Sequence, residues 1–434
     1  MKFPGQRNSK HYFPVKSNDP ISLGIAPYTV SQRTHICGID QTLVDIEARV
    51  SDELLERYEL KKGNSMLIDD AKAHSLYEEL QRGKLISSEF AGGTIGNTLH
   101  NYSTLSDSRS VLFGVMCDNV QVGSYAYRYL CNTSSRVDLN LLQPVPGAMG
   151  RCFALISDCG ERTFAISKGD MDNLQPESID RGIIESSAAL VISAYLLRAD
   201  PAAGMRDSVA KAIDYAKAAD VPVVLTMGTR FLIEQDPQFW RDFIKQNVTI
   251  LAMNEDEGEA LTGFSDPLLA AEQSLQWCDM VLCTAGPVGL YMAGFCDHEY
   301  LRNTSQTLLP GAIPEFNQHE FSRPMRYADC HKPTKVYAHI APFMGGPEVI
   351  RNTNGAGDGA LSALLHDLAA LKYHKLNIPS SSKHNQASLC YSSFSQICKY
   401  ANRVAFEVLS QDSPRLSRGL PEREDSLEEV YWER

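Results

Sequence analysis

Between residues 188 and 286 short apolar runs alternate with amphipathic stretches, and few folds can absorb that order. AALVISAYLL (188–197) reads as a buried strand, and residues 205–219 as a helix with Met205, Val209, Ala212, Ile213 and Ala216 on one face. VPVVLTMGT (221–229) is the next strand, followed by a helix around 236–246, the strand VTILAMN (248–254), a helix near 256–262 and the strand MVLCTAG (280–286). Strands joined by helical crossovers pair in parallel and take helices on both faces. The expected class is α/β with a mostly parallel central sheet.

Other regions follow different rules. CFALIS (152–157) and RTFAIS (162–167) are separated only by DCGE, a hairpin-type link, so a small antiparallel sheet is expected there as a lid or subdomain. Residues 297–348 hold Pro, Asn and His with weak periodicity and read as an irregular stretch, either functional or an accessory insertion. The expected organisation is an N-terminal arm (1–35) packed on the body, a main domain (36–410) and a charged tail (411–434) on the surface with no chemical role.

Composition excludes several classes. With 41 Lys and Arg against 53 Asp and Glu, the formal charge is −12, which argues against a nucleic-acid partner. The 11 cysteines, Cys37, Cys117, Cys152 and Cys398 among them, form no C-x-x-C pair and suit no zinc site, so they read as reduced thiols of a cytoplasmic protein. The longest near-apolar run, 188–197, is about half of the roughly 20 residues needed to cross a bilayer, and no membrane partner is expected. The N-terminal stretch has no apolar core of the kind a secretory signal carries.

The strongest local signal is NTNGAGDGALSALLHDL (352–368), a Gly-rich turn running into a helix. Unpaired backbone N–H groups and the helix dipole at such a start hold anions, phosphate above all. Asp358 sits among those donors and could equally be a plain helix cap. GAGDGA also fits the loose dinucleotide pattern, but no strongly apolar strand precedes it and its carboxylate would repel a pyrophosphate. The P-loop pattern is absent. AGGTIGNTLHNYSTL, from Ala91, again passes from glycines into a helix and brings Asn97 and His100 near its start; the glycines serve either packing or a ligand. In CGIDQTLVDIEARV, Asp45 lies within an apolar strand-like run, where it is either at the strand end or paired with a polar ligand. ILAMNEDEGEALTG ends a strand at Asn254 and begins an acidic helix. Its carboxylates are helix-start charges or hold hydrated Mg²⁺ beside phosphates. Thr284 and Gly286 to Gly289 lie at the same sheet edge.

Taken together, GGTIGNT (92–98), NEDE (254–257), TAGPVG (284–289) and NTNGAGDG (352–359) occur in the order found in the ribokinase-like (phosphofructokinase B-type) sugar and nucleoside kinases. The resemblance spans roughly residues 36–410. The MKFPG start and RGLPEREDSLEE tail extend it to the bacterial branch acting on inosine and guanosine. It implies a three-layer α/β/α domain with a small β-sheet lid, and ATP-dependent phosphorylation of a purine nucleoside at its 5′-hydroxyl. By position, Asp358 resembles the catalytic base and Gly355, Ala356 and Gly357 the anion hole. Asp45, Gly92, Gly93 and Asn97 match the nucleoside-binding residues, and Asn254, Thr284, Gly286 and Gly289 those that bind ATP. Glu257 matches the carboxylate acting on Mg²⁺ through water. The resemblance leaves room for a monovalent cation such as K⁺ and for a homodimer. One departure is Asn352, where the family commonly has Asp. An adenosine or sugar kinase of the same fold, and a catalytically silent nucleoside-binding regulator, are the alternatives.

Overall fold

The computed structural model describes residues 33–420 apart from 107, 199–200, 305–312 and 314–315. The expected arm before residue 33 and the tail beyond residue 420 lie outside the described residues. In chain order the strands are β1 (His35–Ile39), β2 (Leu43–Arg49), β3 (Ser65–Leu67), β4 (Ile86–Ala91), β5 (Arg109–Cys117), β6 (Val137–Asp138), β7 (Leu142–Val145), β8 (Gly150–Ile156), β9 (Arg162–Ser167), β10 (Leu190–Ser193), β11 (Val223–Thr226), β12 (Ile250–Asn254), β13 (Met280–Ala285), β14 (Gly289–Asp297) and β15 (Pro333–Ile340). The helices are α1 (Asp52–Arg57), α2 (Asp70–Arg82), α3 (Thr94–Ser106), α4 (Tyr125–Cys131), α5 (Arg181–Ser186), α6 (Met205–Ala218), α7 (Arg230–Gln235), α8 (Pro237–Asn247), α9 (Glu255–Thr262), α10 (Pro267–Ser274), α11 (Ala356–Asn377) and α12 (Phe394–Leu409).

The main sheet has 10 strands in the order β15-β14-β13-β12-β11-β10-β1-β5-β6, with β7 also on β5. Pairing is parallel from β6 and β7 through β13, and β14 and β15 close the far side antiparallel. Because side chains alternate along a strand, each strand feeds two cores. Ile36, Val191, Val224 and Leu282 pack with α3, α11 and α12 on one face. Cys37, Ile192, Leu225 and Val281 pack with α5 to α10 on the other. The buried stripe of α6, Met205, Val209, Ala212, Ile213 and Ala216, is the one its periodicity predicts.

The chain leaves this sheet twice, at 43–91 and at 150–167, to build a five-stranded sheet in the order β3-β9-β8-β2-β4. The β8–β9 pair is the expected antiparallel hairpin, but β2–β8 and β3–β9 are parallel, so the lid sheet is mixed. Val44, Ile46, Ala48, Phe153 and Leu155 point to one side of it, where Leu76 and Leu80 of α2 cover them. The lid thus has a core of its own.

Three expectations need correction. The apolar run 188–197 is strand only over β10 and continues as a 3-10 turn at Ala194–Arg198. Ala194 and Leu196 remain buried there, and periodicity cannot separate a buried strand from a buried turn. The stretch 297–348 contains β15, an edge strand paired with β14 along its whole length. An edge strand needs only one ladder, so weak patterning and an initial Pro333 are compatible with it. Finally, Pro414, Arg415, Leu416 and Leu420 are buried rather than solvated.

Leu76 is fully buried in the lid core. Leu76→Ala should cost about 2–5 kcal/mol, seen as a lower urea midpoint, and an unchanged midpoint would mean that α2 does not support the lid.

Candidate active site

The site forms where the chain crosses between its two sheets. β1 ends at Ile39, and the next residues, Asp40 to Thr42, are buried in the passage to β2. Asp40 is tied on three sides: its N–H donates to the Phe113 carbonyl (3.0 Å), Oδ1 accepts from Gln41 N–H (2.9 Å) and Oδ2 accepts from Gly96 N–H at the start of α3 (2.7 Å). Along β2, Val44, Ile46 and Ala48 enter the lid core, so alternation turns Asp45 to the opposite face, beside Phe90 and Cys152 in register. The chain returns from β4 through Gly92 and Gly93, directly beneath both carboxylates. A Cβ at Gly92 would lie 2.5 Å from the Asp45 carboxylate. Gly93 has φ +88°, and its Cβ would run into Asp40. The glycine pair is required by this close passage.

Asn97, one turn into α3, donates from Nδ2 to Asp358 Oδ2 at 3.2 Å. Asp358 sits in the first turn of α11, whose cap Gly355 has φ +79°. The N–H groups of 356–358 precede the first intrahelical bond, Gly359 N–H to the Gly355 carbonyl (2.8 Å), and point out of the helix start. Gly357 is exposed, and nothing lies within 4 Å of where its Cβ would be, so the helix start faces open space. That combination suits an anion. Burial, reinforced by the charges of Asp40 and Asp45, pushes Asp358 up to about 7, against the pull of the Asn97 hydrogen bond and Arg415. Asp40 and Asp45 are likewise raised to about 7, by burial first, with Arg415 acting downward on both.

Arg415, which the sequence reading left in a solvated tail, reaches into the middle of this group and is 4% exposed. It donates from Nε to Asn97 Oδ1 (2.9 Å), from Nη1 to Thr133 Oγ1 (2.6 Å) and the Asn132 carbonyl (3.3 Å), and from Nη2 to the Gly92 carbonyl (3.1 Å). Its carbon Cζ lies 5.1 Å from the centre of the Tyr129 ring. Asn101 of α3 clamps the same segment, donating to the Pro414 carbonyl (3.1 Å) and accepting from Leu416 N–H (2.7 Å). Asp40 was also missed, five residues from the Asp45 that was singled out. His100 supports the segment: it accepts from Ser134 N–H (3.0 Å) and bonds the Leu416 carbonyl (2.9 Å), while burial lowers it to about 4, so it is a neutral imidazole.

The second group of expected residues lies farther along the strand ends. Asn254 ends β12 and stands in register with Thr284 on β13. Asn254 and Glu257 form a reciprocal capping box: Glu257 N–H donates to Asn254 Oδ1 (2.8 Å), and Asn254 donates from N to Oε2 (3.0 Å) and from Nδ2 to Oε1 (3.2 Å). Glu257 is buried and pushed up to about 7, chiefly by burial, with Asp256 and Glu255 adding to the rise. Gly286 (φ +44°) and Gly289 (φ +114°) turn the chain from β13 into β14; a Cβ at Gly289 would strike the Ile340 carbonyl. Tyr195, in the 3-10 turn after β10, lies within electrostatic reach of Glu257, Cys152 and Asp358. From the lid, Arg162 Nη1 donates to Asn354 Oδ1 (2.9 Å) and Thr353 Oγ1 (3.2 Å) on the anion turn. Asn352 is buried and uses both ends of its amide, donating to the Asp412 carbonyl (2.8 Å) and accepting from Asn354 N–H (2.8 Å). Among the described residues no cluster of three or more His, Cys, Asp or Glu forms a metal cage. None of the described helices is long and apolar enough to cross a membrane.

No protein-family model matches the chain. It is 62% identical over 434 residues, all of both chains, to the guanosine-inosine kinase of Escherichia coli (strain K12). It is 27% identical over 232 residues to the adenosine kinase of Saccharomyces cerevisiae, covering 50% of this chain and 63% of that one. Among solved structures, adenosine kinase from Sinorhizobium meliloti aligns with a TM-score of 0.64 at 20% identity, over 89% of this chain and 97% of that one. That likeness gives the ribokinase-like three-layer fold.

Carboxyls raised by burial hold protons in the folded state at pH values where the unfolded chain has lost them, so stability present on the acid side falls as pH rises through about 7. Without ligand, Tm should therefore decline from pH 5 to pH 8. Asp358→Asn, which cannot ionise, should decline less steeply. Parallel Tm profiles by calorimetry would mean that Asp358 ionises as it does in the unfolded chain.

Proposed function

The chain belongs to the guanosine-inosine kinase family and is a nucleoside phosphotransferase, and from that premise we propose a mechanism in which the γ-phosphoryl group of ATP passes to the 5′-hydroxyl of guanosine or inosine, giving the 5′-monophosphate. The observation that carries this reading is the meeting of Asp358, at the open start of α11, with Asp45 and the Gly92–Gly93 passage under the lid. The helix start proposed for the phosphoryl group and the carboxylate proposed for the ribose thereby lie on either side of the Gly92–Asn97 stretch.

In this mechanism Asp45 accepts hydrogen bonds from the ribose 2′- and 3′-hydroxyls, which supply the polar partner a carboxylate at a partly buried position needs. Asp358 takes the 5′-hydroxyl proton, and a proton affinity near neutrality suits it to general-base work at that pH. The N–H groups at Gly355, Ala356 and Gly357 face the equatorial oxygens of the group in flight, a fixed array of dipoles that needs no reorganisation as charge develops. Arg162 bridges lid and anion turn, so a lid held down over the site would keep water from competing with the nucleoside. Asn254, Thr284, Gly286 and Gly289 form the strand-end shelf proposed for ATP.

The donors present fit Mg²⁺ carried in on the phosphates rather than caged by protein: both Glu257 oxygens already accept from Asn254, which leaves their outer lone pairs for metal-bound water. Mg²⁺, when bound there with the nucleotide, would supply neutralisation of the charge that develops on the phosphates.

Release of ADP, measured with guanosine, inosine, adenosine and ribose in turn, tests the reading. Guanosine and inosine should turn over best, and activity on ribose with neither nucleoside would overturn it. Asp358→Asn should lower kcat at least about 10²-fold with guanosine affinity little changed, whereas a near-normal kcat would remove the base assignment. Loss of a polar partner from a buried acceptor costs about 1–3 kcal/mol, so 2′-deoxyguanosine should have kcat/KM roughly tenfold lower or worse. Asp45→Ala should shrink that preference; a coupling energy near zero across the four rates would mean that Asp45 does not touch the ribose.

A further inference from the structure

We propose that Arg415 is a positioning residue of the phosphoryl-transfer site, acting on Asp358 through Asn97. An asparagine amide has an accepting end and a donating end, and its orientation follows from its neighbours. A guanidinium can only donate. With Arg415 Nε 2.9 Å from one end of the Asn97 amide, that end is the carbonyl oxygen, and the NH₂ end is thereby turned to Asp358 Oδ2 at 3.2 Å. The reversed amide would set its oxygen against a carboxylate and its NH₂ against a cation.

The guanidinium is itself held, so it can impose this order. Thr133, the Asn132 carbonyl and the Gly92 carbonyl take its remaining nitrogens, and the Tyr129 ring lies against its face. The segment behind it is equally fixed, since Asn101 clamps both Pro414 and Leu416. Pro414 also fills the space beside Gly355, where a Cβ would come within 2.5 Å of its side chain. One segment of chain therefore touches the nucleoside-side turn at Gly92, the Asn97 amide and the cap of the anion-binding helix. Its positive charge also bears on Asp40, Asp45 and Asp358 together.

The inference rests on Asp358 being the base, so the experiment carries Asp358→Asn beside the Arg415 variants. With guanosine and MgATP, kcat and KM are measured from pH 5.5 to 9 for Arg415→Met and Arg415→Lys, with Tm as the check on folding. The group bonded to Asp358 is Asn97, with Arg415, Asp40, Asp45 and Tyr195 in electrostatic reach. Removing the cation leaves the carboxylates unopposed. Arg415→Met should lower kcat about tenfold or more and shift the acid limb of the kcat profile to higher pH. Arg415→Lys should keep the acid limb near its native position yet leave kcat low, because an ammonium supplies charge without the Nε and Nη2 fork. If either folded variant has native kcat and a native acid limb, the positioning role is overturned. Should Arg415→Met fail to fold, a native kcat in Arg415→Lys overturns it alone. A near-normal kcat in Asp358→Asn removes the base assignment itself, whereas an inactive Asp358→Asn beside native Arg415 variants removes only the present proposal.

Discussion

Asp40, Asp45 and Asp358 are gathered around the guanidinium of Arg415, and the site depends on that one grouping of charge. Carboxylates that lie within one another's field raise the cost of ionising each, and a cation among them offsets part of that cost. An arginine suits the place better than a lysine, since it stays charged under desolvation and spreads its donors in a plane. Here the plane reaches an amide, a hydroxyl and two carbonyls as well as the carboxylates' field. The chain as a whole is strongly acidic, at −12, so the local balance at the site owes nothing to the global one.

The grouping exists because the chain changes sheets there. Asp40 stands at the exit from β1, Asp45 two residues into β2, and Gly92–Gly93 at the return from β4 into α3. Asp40 ties exit to return by accepting from Gly96 N–H. The lid has its own core, and the residues at its crossings are hydrogen-bonded into the main domain. Through Arg162 the lid also bonds Thr353 and Asn354 of the anion turn, a contact that suits a reaction from which water must be excluded.

How far the site could be read from sequence divides along local and non-local structure. The α11 start was legible because a glycine cap, a donor-rich first turn and an acid occupy adjacent positions. The parallel strands were legible because each carries an apolar run that must be covered on both faces. Asn254 and Glu257 were legible as a pair, yet their spacing of three is also that of a capping box, which is the local structure they form. Asp40 was overlooked because CGIDQTLVDIEARV reads as one strand, while the structure breaks it at 40–42 between two sheets, a break set by tertiary packing. Arg415 left no local signal at all: it sits among Ser, Pro and Arg in a stretch that looks solvated, and its partners are 282 to 323 positions away in sequence. Only the polar atoms it satisfies, at Gly92 before α3, on α3 and after α4, reveal its role.

That separation has a consequence for how the protein is made. Asn97 and Gly92 leave the ribosome long before Arg415 does, since Asn97 and the arginine that orients it are 318 positions apart. Every residue of the lid, the main sheet and the glycine passage precedes Arg415 in the chain. A chain interrupted before residue 415 would lack the guanidinium that bonds Asn97, Thr133, Asn132 and Gly92, and Asp40, Asp45 and Asp358 would be without its charge.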